Sequence, residues 1–112
     1  MSEIAETPEP PYYAVIFTSH RTEGDNNYSK MADKMVELAS QQPGFLGVES
    51  ARGSVGITVS YWKDLKSIKA WKQNAEHIMA QKRGKEAWYT EFKTRISIVE
   101  KDYGFTKGED GN

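Results

Sequence analysis

The chain has 112 residues, contains no cysteine and carries a formal net charge of -1. This length corresponds to one domain, and the lack of cysteine excludes disulfides, thiolate zinc sites and cysteine nucleophiles. There is no basic block that would favour nucleic acid and no apolar run near the roughly 20 residues of a membrane helix. From the acidic first residues we expect no signal peptide. We therefore expect a cytoplasmic protein that binds neither nucleic acid nor a membrane.

Both ends of the chain differ in composition from its middle. Residues 1–11 contain three glutamates and three prolines, which predicts a flexible acidic N-terminal segment. Residues 106–112 are polar and glycine-containing, which predicts a flexible C-terminal tail. The folded domain is expected to span residues 12–105.

The first half of this domain indicates a strand followed by a helix. The run from Tyr12 to Ser19 is rich in aromatic and β-branched residues, which is typical of a strand. A polar loop follows, and then a helical apolar stripe is formed by Tyr28, Met31, Met35 and Leu38. Pro43-Gly44 predicts the end of this helix.

The second half indicates a hairpin, a helix and a last strand. Two strands, 45–52 and 54–62, are joined by a turn at Gly53, and Asp64 can cap the following helix. That helix is expected to end near Gly84, and a short helical piece and a strand from Phe92 to Tyr103 complete the domain. The apolar stripe of the second helix consists of Leu65, Ile68, Trp71, Ala75, Ile78 and Met79.

The resulting order, β-α-β-β-α-β, predicts an α+β fold, a ferredoxin-like sandwich with a four-stranded antiparallel sheet. Two helices cover only one face of such a sheet, yet the first and third strands carry apolar residues on both faces. A second copy of the chain is the simplest cover for the other face. We therefore expect a homodimer that forms through this sheet face.

Three motifs resemble those of the antibiotic biosynthesis monooxygenase family. They are Pro43-Gly44-Phe45-Leu46-Gly47, Ser60-Tyr61-Trp62 and the helical stretch from Trp71 to His77. The resemblance implies a dimeric α+β barrel over most of the chain. It implies less about the reaction, because the family includes cofactor-independent oxygenases of aromatic polyketides, heme-degrading oxygenases and members with no known activity.

The candidate site follows from what cofactor-free oxygenation needs. A substrate anion requires a base, an apolar cavity and polar groups that hold the anion. His77 is the candidate base because an imidazole ordinarily titrates near neutral pH, Trp71 can stack on an aromatic ring, and Asn74 can bind a carbonyl oxygen. Further candidate pocket residues are Phe17, Trp88, Tyr89 and Arg95.

Each of these residues also has a simpler structural explanation. On an unbroken helix, His77 would lie about 160° from the centre of the apolar stripe and face solvent, whereas a break near Asn74 would turn it inward. Trp71, Trp88 and Tyr89 can be core residues. Arg95 can form a salt bridge as well as bind an anionic ligand.

The sequence predicts a cofactor-independent monooxygenase-like protein that acts on a small aromatic or quinol-type substrate. A non-catalytic dimeric barrel that binds a small aromatic ligand, or responds to stress, is the alternative. A heme-binding or heme-degrading protein is less favoured, since Gln81 occupies the position where the resemblance would require a histidine ligand. Only two histidines occur and neither has a carboxylate at ligand spacing, so we predict no metal site and no cofactor.

Overall fold

The computed structural model describes residues 4–24, 28–81 and 87–108. Its six elements follow the predicted β-α-β-β-α-β order. The sheet is antiparallel with strand order β2-β3-β1-β4, so the α+β ferredoxin-like fold is confirmed. The elements are β1 (Tyr12–Arg21), α1 (Tyr28–Ser40), β2 (Phe45–Arg52), β3 (Gly56–Trp62), α2 (Leu65–Gln81) and β4 (Tyr89–Val99).

Local chemistry sets the junctions around the central hairpin. Gly44 adopts a positive φ of 86°, which a residue with a side chain rarely tolerates. Its carbonyl accepts a hydrogen bond from the Lys63 backbone at 2.7 Å, which ties the end of α1 to the start of α2. The Asp64 carboxylate accepts the Ser67 backbone N–H at 2.8 Å, and hydrogen bonding to Ser67 lowers the pKa of Asp64.

The last strand differs from its prediction. It begins at Tyr89, three residues earlier than expected, because β1 extends to Arg21 and pairs with Tyr89. It ends at Val99, which pairs with the first residue of β1, Tyr12. The residue before Tyr12 is a proline, which has no N–H to continue the ladder. The predicted helix end at Gly84 lies outside the described residues.

The core lies at one end of the space between the helices and the sheet. Trp62 at the end of β3 is fully buried and packs with Ala39 of α1 and Ile68 of α2. The centroid of its ring lies 5.4 Å from that of Phe45, which it meets edge-on, and 6.2 Å from that of Trp71, on which it stacks. One aromatic side chain therefore joins both helices to the sheet.

The opposite face of the sheet is partly covered by the N-terminal segment. The Glu49 carboxylate accepts hydrogen bonds from the Ala5 backbone at 2.9 Å and from the Tyr61 hydroxyl at 2.6 Å. The Tyr12 hydroxyl accepts a bond from Thr7 at 2.8 Å and donates to Asp102. Residues 4–11, which the sequence assigns to a flexible segment, thus contact the sheet.

Beyond this segment the same face is less protected. Ile57 of β3 is 43 % exposed, and Arg95 of β4, which is also exposed, pairs with Ile16 of β1. Within the described parts of the chain, no helix is long and apolar enough to cross a lipid bilayer.

Truncation of Trp62 tests whether it is the anchor of the core. We expect Trp62→Ala to lower the free energy of unfolding by about 3–5 kcal/mol, because it removes a buried aromatic ring that the surrounding helices cannot replace. Urea denaturation followed by circular dichroism measures this difference. Leu65→Ala is the control, since Leu65 is 54 % exposed at the start of α2; equal losses in the two variants would contradict the assignment.

Candidate functional site

A cavity of about 380 Å³ lies between the two helices and the sheet. Its walls come from all four strands on one side and from α1 and α2 on the other. Two β4 residues that line it, Phe92 and Ile96, are 37 % and 49 % exposed, so the cavity is accessible from solvent along this edge strand. A volume of this size suits a small organic ligand.

The side-chain pattern of β3 explains why space remains at this place. Thr58 and Ser60 line the cavity and pair with Phe17 and Val15 of β1, which line it too. Their side chains are small and lie on the same side of the strand as Trp62, since alternate residues share a face. The Trp62 side chain fills the space between β3 and the helices, whereas the smaller Thr58 and Ser60 side chains leave part of that space empty.

Aromatic rings surround one end of the cavity. Phe17 lies 5.5 Å from Tyr89 and 5.2 Å from Phe92, measured between ring centroids. Tyr28 of α1 meets Tyr89 at 5.8 Å and Trp88 at 6.1 Å, both nearly perpendicular. A flat aromatic ligand can therefore contact ring faces and ring edges here.

Two tyrosine hydroxyls and two guanidinium groups cluster at this aromatic end. Tyr28 and Tyr89 both line the cavity here. Burial, followed by interaction with the Tyr28 hydroxyl, raises the pKa of Tyr89, so its phenol stays protonated. The Arg21 guanidinium carbon lies 3.5 Å from the Tyr28 ring centroid and that of Arg52 lies 5.7 Å from it. Arg52 is held there by a 3.2 Å bond to the Ser19 hydroxyl.

The rest of the lining is mainly flexible and apolar. Met31 and Met35 of α1 face Met79 of α2 around the cavity, and thioether side chains adapt readily to different ligand shapes. Lys72 and Glu76 add one charge of each sign along α2, and both are exposed.

Four of the predicted pocket residues line the cavity. They are Phe17, Trp71, Trp88 and Tyr89. Trp71 also packs against the core through Trp62, so it belongs to both the core and the cavity wall.

The other three candidates lie elsewhere. His77 is exposed on α2, which runs unbroken from Leu65 to Gln81 and so has no break to turn the imidazole inward. Asn74 is exposed and donates to Gln42 at 3.4 Å. Arg95 is exposed and pairs with Ile16 of β1. Because Val15 and Phe17 line the cavity and alternate residues lie on opposite faces, Ile16 and Arg95 lie on the face away from it. Roles for these side chains in catalysis or binding stay predictions.

Sequence reasoning misses three residues at the aromatic end. In the sequence, Tyr28 is one member of a helical stripe, Arg21 is a loop residue and Arg52 is a hairpin residue. Their proximity depends on the sheet register, which brings Arg52 beside Gly56 and Gly56 beside Ser19. Within the described ranges, no group of three or more histidine, aspartate or glutamate side chains is arranged to hold a metal ion.

The fold and the cavity define a small α+β domain that encloses an apolar site under two helices. The family model of antibiotic biosynthesis monooxygenases matches residues 11–83. The uncharacterized protein YqjZ of Bacillus subtilis strain 168 is 47% identical over 103 residues, which cover 90% of each chain. The chain belongs to the antibiotic biosynthesis monooxygenase family.

Solved structures share the fold at low sequence identity. SnoaB of Streptomyces nogalater, a cofactor-independent oxygenase, superposes with a TM-score of 0.63 at 10% identity, covering 88% of this chain and 100% of that one. PA3566 of Pseudomonas aeruginosa gives a TM-score of 0.63 at 18% identity, covering 86% and 99%. Similarity at this level concerns the fold alone.

Proposed function

We propose that this protein is a cytoplasmic, cofactor-independent monooxygenase that acts on a small aromatic or quinol-type substrate. The observation that carries the proposal is the apolar cavity, whose lining includes Phe17, Trp71, Trp88, Tyr89 and Phe92. Rings of this kind suit a flat substrate. Membership of the family and the fold shared with SnoaB support the reaction class.

The proposed reaction needs no external reductant if the substrate supplies all four electrons. In an anthrone, one ring CH2 becomes C=O, one oxygen atom of O2 enters the product and the other leaves as water with the two substrate hydrogens. The substrate reacts with O2 as its electron-rich anion. A protein site assists by binding the ring in a dry environment and by favouring the anion over the neutral form.

A non-catalytic binding protein is the second candidate, and the position of His77 favours it. The imidazole is exposed and does not line the cavity, so the only titratable groups in the described lining are Lys72, Glu76 and the two tyrosines Tyr28 and Tyr89. A substrate that ionises in water does not need a strong base, whereas a less acidic substrate does. His20 and His77 are both outside the lining, which gives no support to heme ligation through either.

Oxygen consumption tests the catalytic proposal directly. With an anthrone such as dithranol, we expect enzyme-dependent O2 uptake above the uncatalysed rate, measured with an oxygen electrode, and a loss of at least about tenfold in Ala75→Phe, because the added ring occupies cavity volume. Ala70→Phe is the matched control, since Ala70 lies on the same helix but is exposed. Binding of the anthrone without uptake would establish the non-catalytic alternative.

The same assay decides the role of His77. The sequence predicts that it is the base, whereas its exposed position favours a reaction that proceeds without it. We expect His77→Ala to retain the uptake rate of the unchanged protein. A large loss in this variant, with binding unchanged, would make His77 a participant and would require α2 to move.

We further propose that a second copy of the chain covers the sheet face opposite the helices. Ile57 remains 43 % exposed there, and the neighbouring Ile16 and Val59 form an apolar surface with it across β1 and β3. Tyr103 and Phe105, which follow β4, are also largely exposed. Exposed apolar residues in this number are typical of an interface.

Light scattering after size exclusion tests the dimer. We expect a particle of twice the mass of one chain, and a single-chain particle for Ile57→Lys, because a buried unpaired lysine opposes association. Leu65→Lys is the matched control, since Leu65 is a similarly exposed apolar residue at the start of α2. A single-chain particle for the unchanged protein would contradict the two-faced burial argument.

A further inference from the structure

The hydroxyl groups of Tyr28 and Tyr89, which line the cavity, and the guanidinium groups of Arg21 and Arg52, which lie against the Tyr28 ring outside the lining, form what we call the hydroxyl end of the cavity. We propose that the hydroxyl end binds an ionised oxygen, a phenolate or enolate, carried by a planar ring that occupies the apolar part of the cavity. The inference rests on the proposed function, because it takes the cavity to be the ligand site.

Tyr28 and Tyr89 both line the cavity, and their ring centroids lie 5.8 Å apart. Each neutral phenol carries one O–H group that can donate to an acceptor in the cavity. The raised pKa of Tyr89 keeps its hydroxyl protonated. The pair thus offers an O–H donor, and a neutral phenol donates strongly to an anionic oxygen.

Two guanidinium groups lie at the Tyr28 ring, with their carbon atoms 3.5 and 5.7 Å from its centroid. Arginine stays protonated at all relevant pH values. Both positive charges act on the Tyr89 hydroxyl, where they lower its pKa against the larger opposing effect of burial. On the α2 wall, Lys72 and Glu76 carry opposite charges that offset each other. The field within the cavity therefore favours an anion at the hydroxyl end.

Phe17, Trp88 and Phe92 surround the same end with ring contacts, so the anionic oxygen must be attached to a flat apolar body and not to a flexible chain. A free inorganic anion would gain nothing from these rings. The site thus combines a donor pair, positive charge and aromatic walls, and each selects a different part of the same ligand.

Two naphthoquinones provide a matched pair of probes. 2-Hydroxy-1,4-naphthoquinone is ionised at neutral pH, whereas 2-methyl-1,4-naphthoquinone has the same shape and no charge. Neither requires turnover, so binding is separable from catalysis. Quenching of tryptophan fluorescence reports both, because Trp71 and Trp88 line the cavity. We expect the hydroxy compound to bind at least about tenfold tighter, the effect of one hydrogen bond to a charged group.

Variants then assign the preference to the hydroxyl end. Tyr28→Phe and Tyr89→Phe should each weaken the hydroxy compound about tenfold while they change the affinity of the methyl compound less than about twofold, which also shows that the variants are folded. Arg52→Gln should reduce the preference through charge. Tyr13→Phe is the control, since Tyr13 packs at the core end and should leave the preference unchanged.

Three results would overturn the inference. The inference would be overturned if the unchanged protein bound both naphthoquinones with equal affinity. It would also be overturned if the preference for the hydroxy compound survived both tyrosine substitutions. In either case the cavity would remain a ligand site. Failure of both probes to bind would overturn it together with the cavity as the substrate site. Tight, selective binding without O2 uptake from anthrones would support the inference and contradict only catalysis.

Discussion

The arrangement of large and small side chains on the helix-facing side of β3 determines the rest of this structure. Trp62 ends the row and is fully buried, where it joins Ala39 of α1 and Ile68 of α2 to the sheet. Thr58 and Ser60 precede it on the same face and are too small to fill the layer. Trp62 therefore fills the layer where it lies, and the cavity begins against the residues that pack around it, Ala39, Ile68 and Trp71.

The sequence predicts the elements well where their boundaries depend on local chemistry. The positive φ of Gly44 forms the turn between α1 and β2. Asp64 caps α2 by accepting the Ser67 backbone N–H, three residues further along the chain. The bounds of β4 differ from the prediction because they depend on pairing with Arg21 and Tyr12, which are distant in the chain. Strand ends set by non-local partners cannot be recognised from neighbouring residues.

The sequence predicts four of the lining residues, Phe17, Trp71, Trp88 and Tyr89, but not the methionines of the cavity. Met31, Met35 and Met79 occupy apolar helical stripes, and a stripe looks the same whether it packs against a core or lines a cavity. Helical periodicity does place His77 away from the stripe, and the structure has it exposed on an unbroken helix. Arg52 could not be assigned to the site from the sequence, where it is one residue of the β2–β3 hairpin. The pairing register of β2 and β3 brings its guanidinium group towards Tyr28.

The distribution of polar groups connects the fold to the proposed chemistry. Cofactor-free oxygenation depends on a substrate anion, and the hydroxyl end places two hydroxyl groups in the lining of a mainly apolar cavity, with two guanidinium groups against the Tyr28 ring. Family membership alone does not specify such a site, because one fold supports several reactions. The features that carry the proposal are thus the identities of residues 21, 28, 52 and 89 in this chain.

The central claim is that ligands enter the cavity under the two helices. Three of the four methionines of the chain, Met31, Met35 and Met79, line it. Methyl NMR of protein labelled at the methionine methyl groups therefore gives the most direct measurement. Titration with 2-methyl-1,4-naphthoquinone should shift the signals of all three together through the ring current of the ligand. Saturable binding that leaves these three signals unchanged would place the ligand elsewhere and contradict the account.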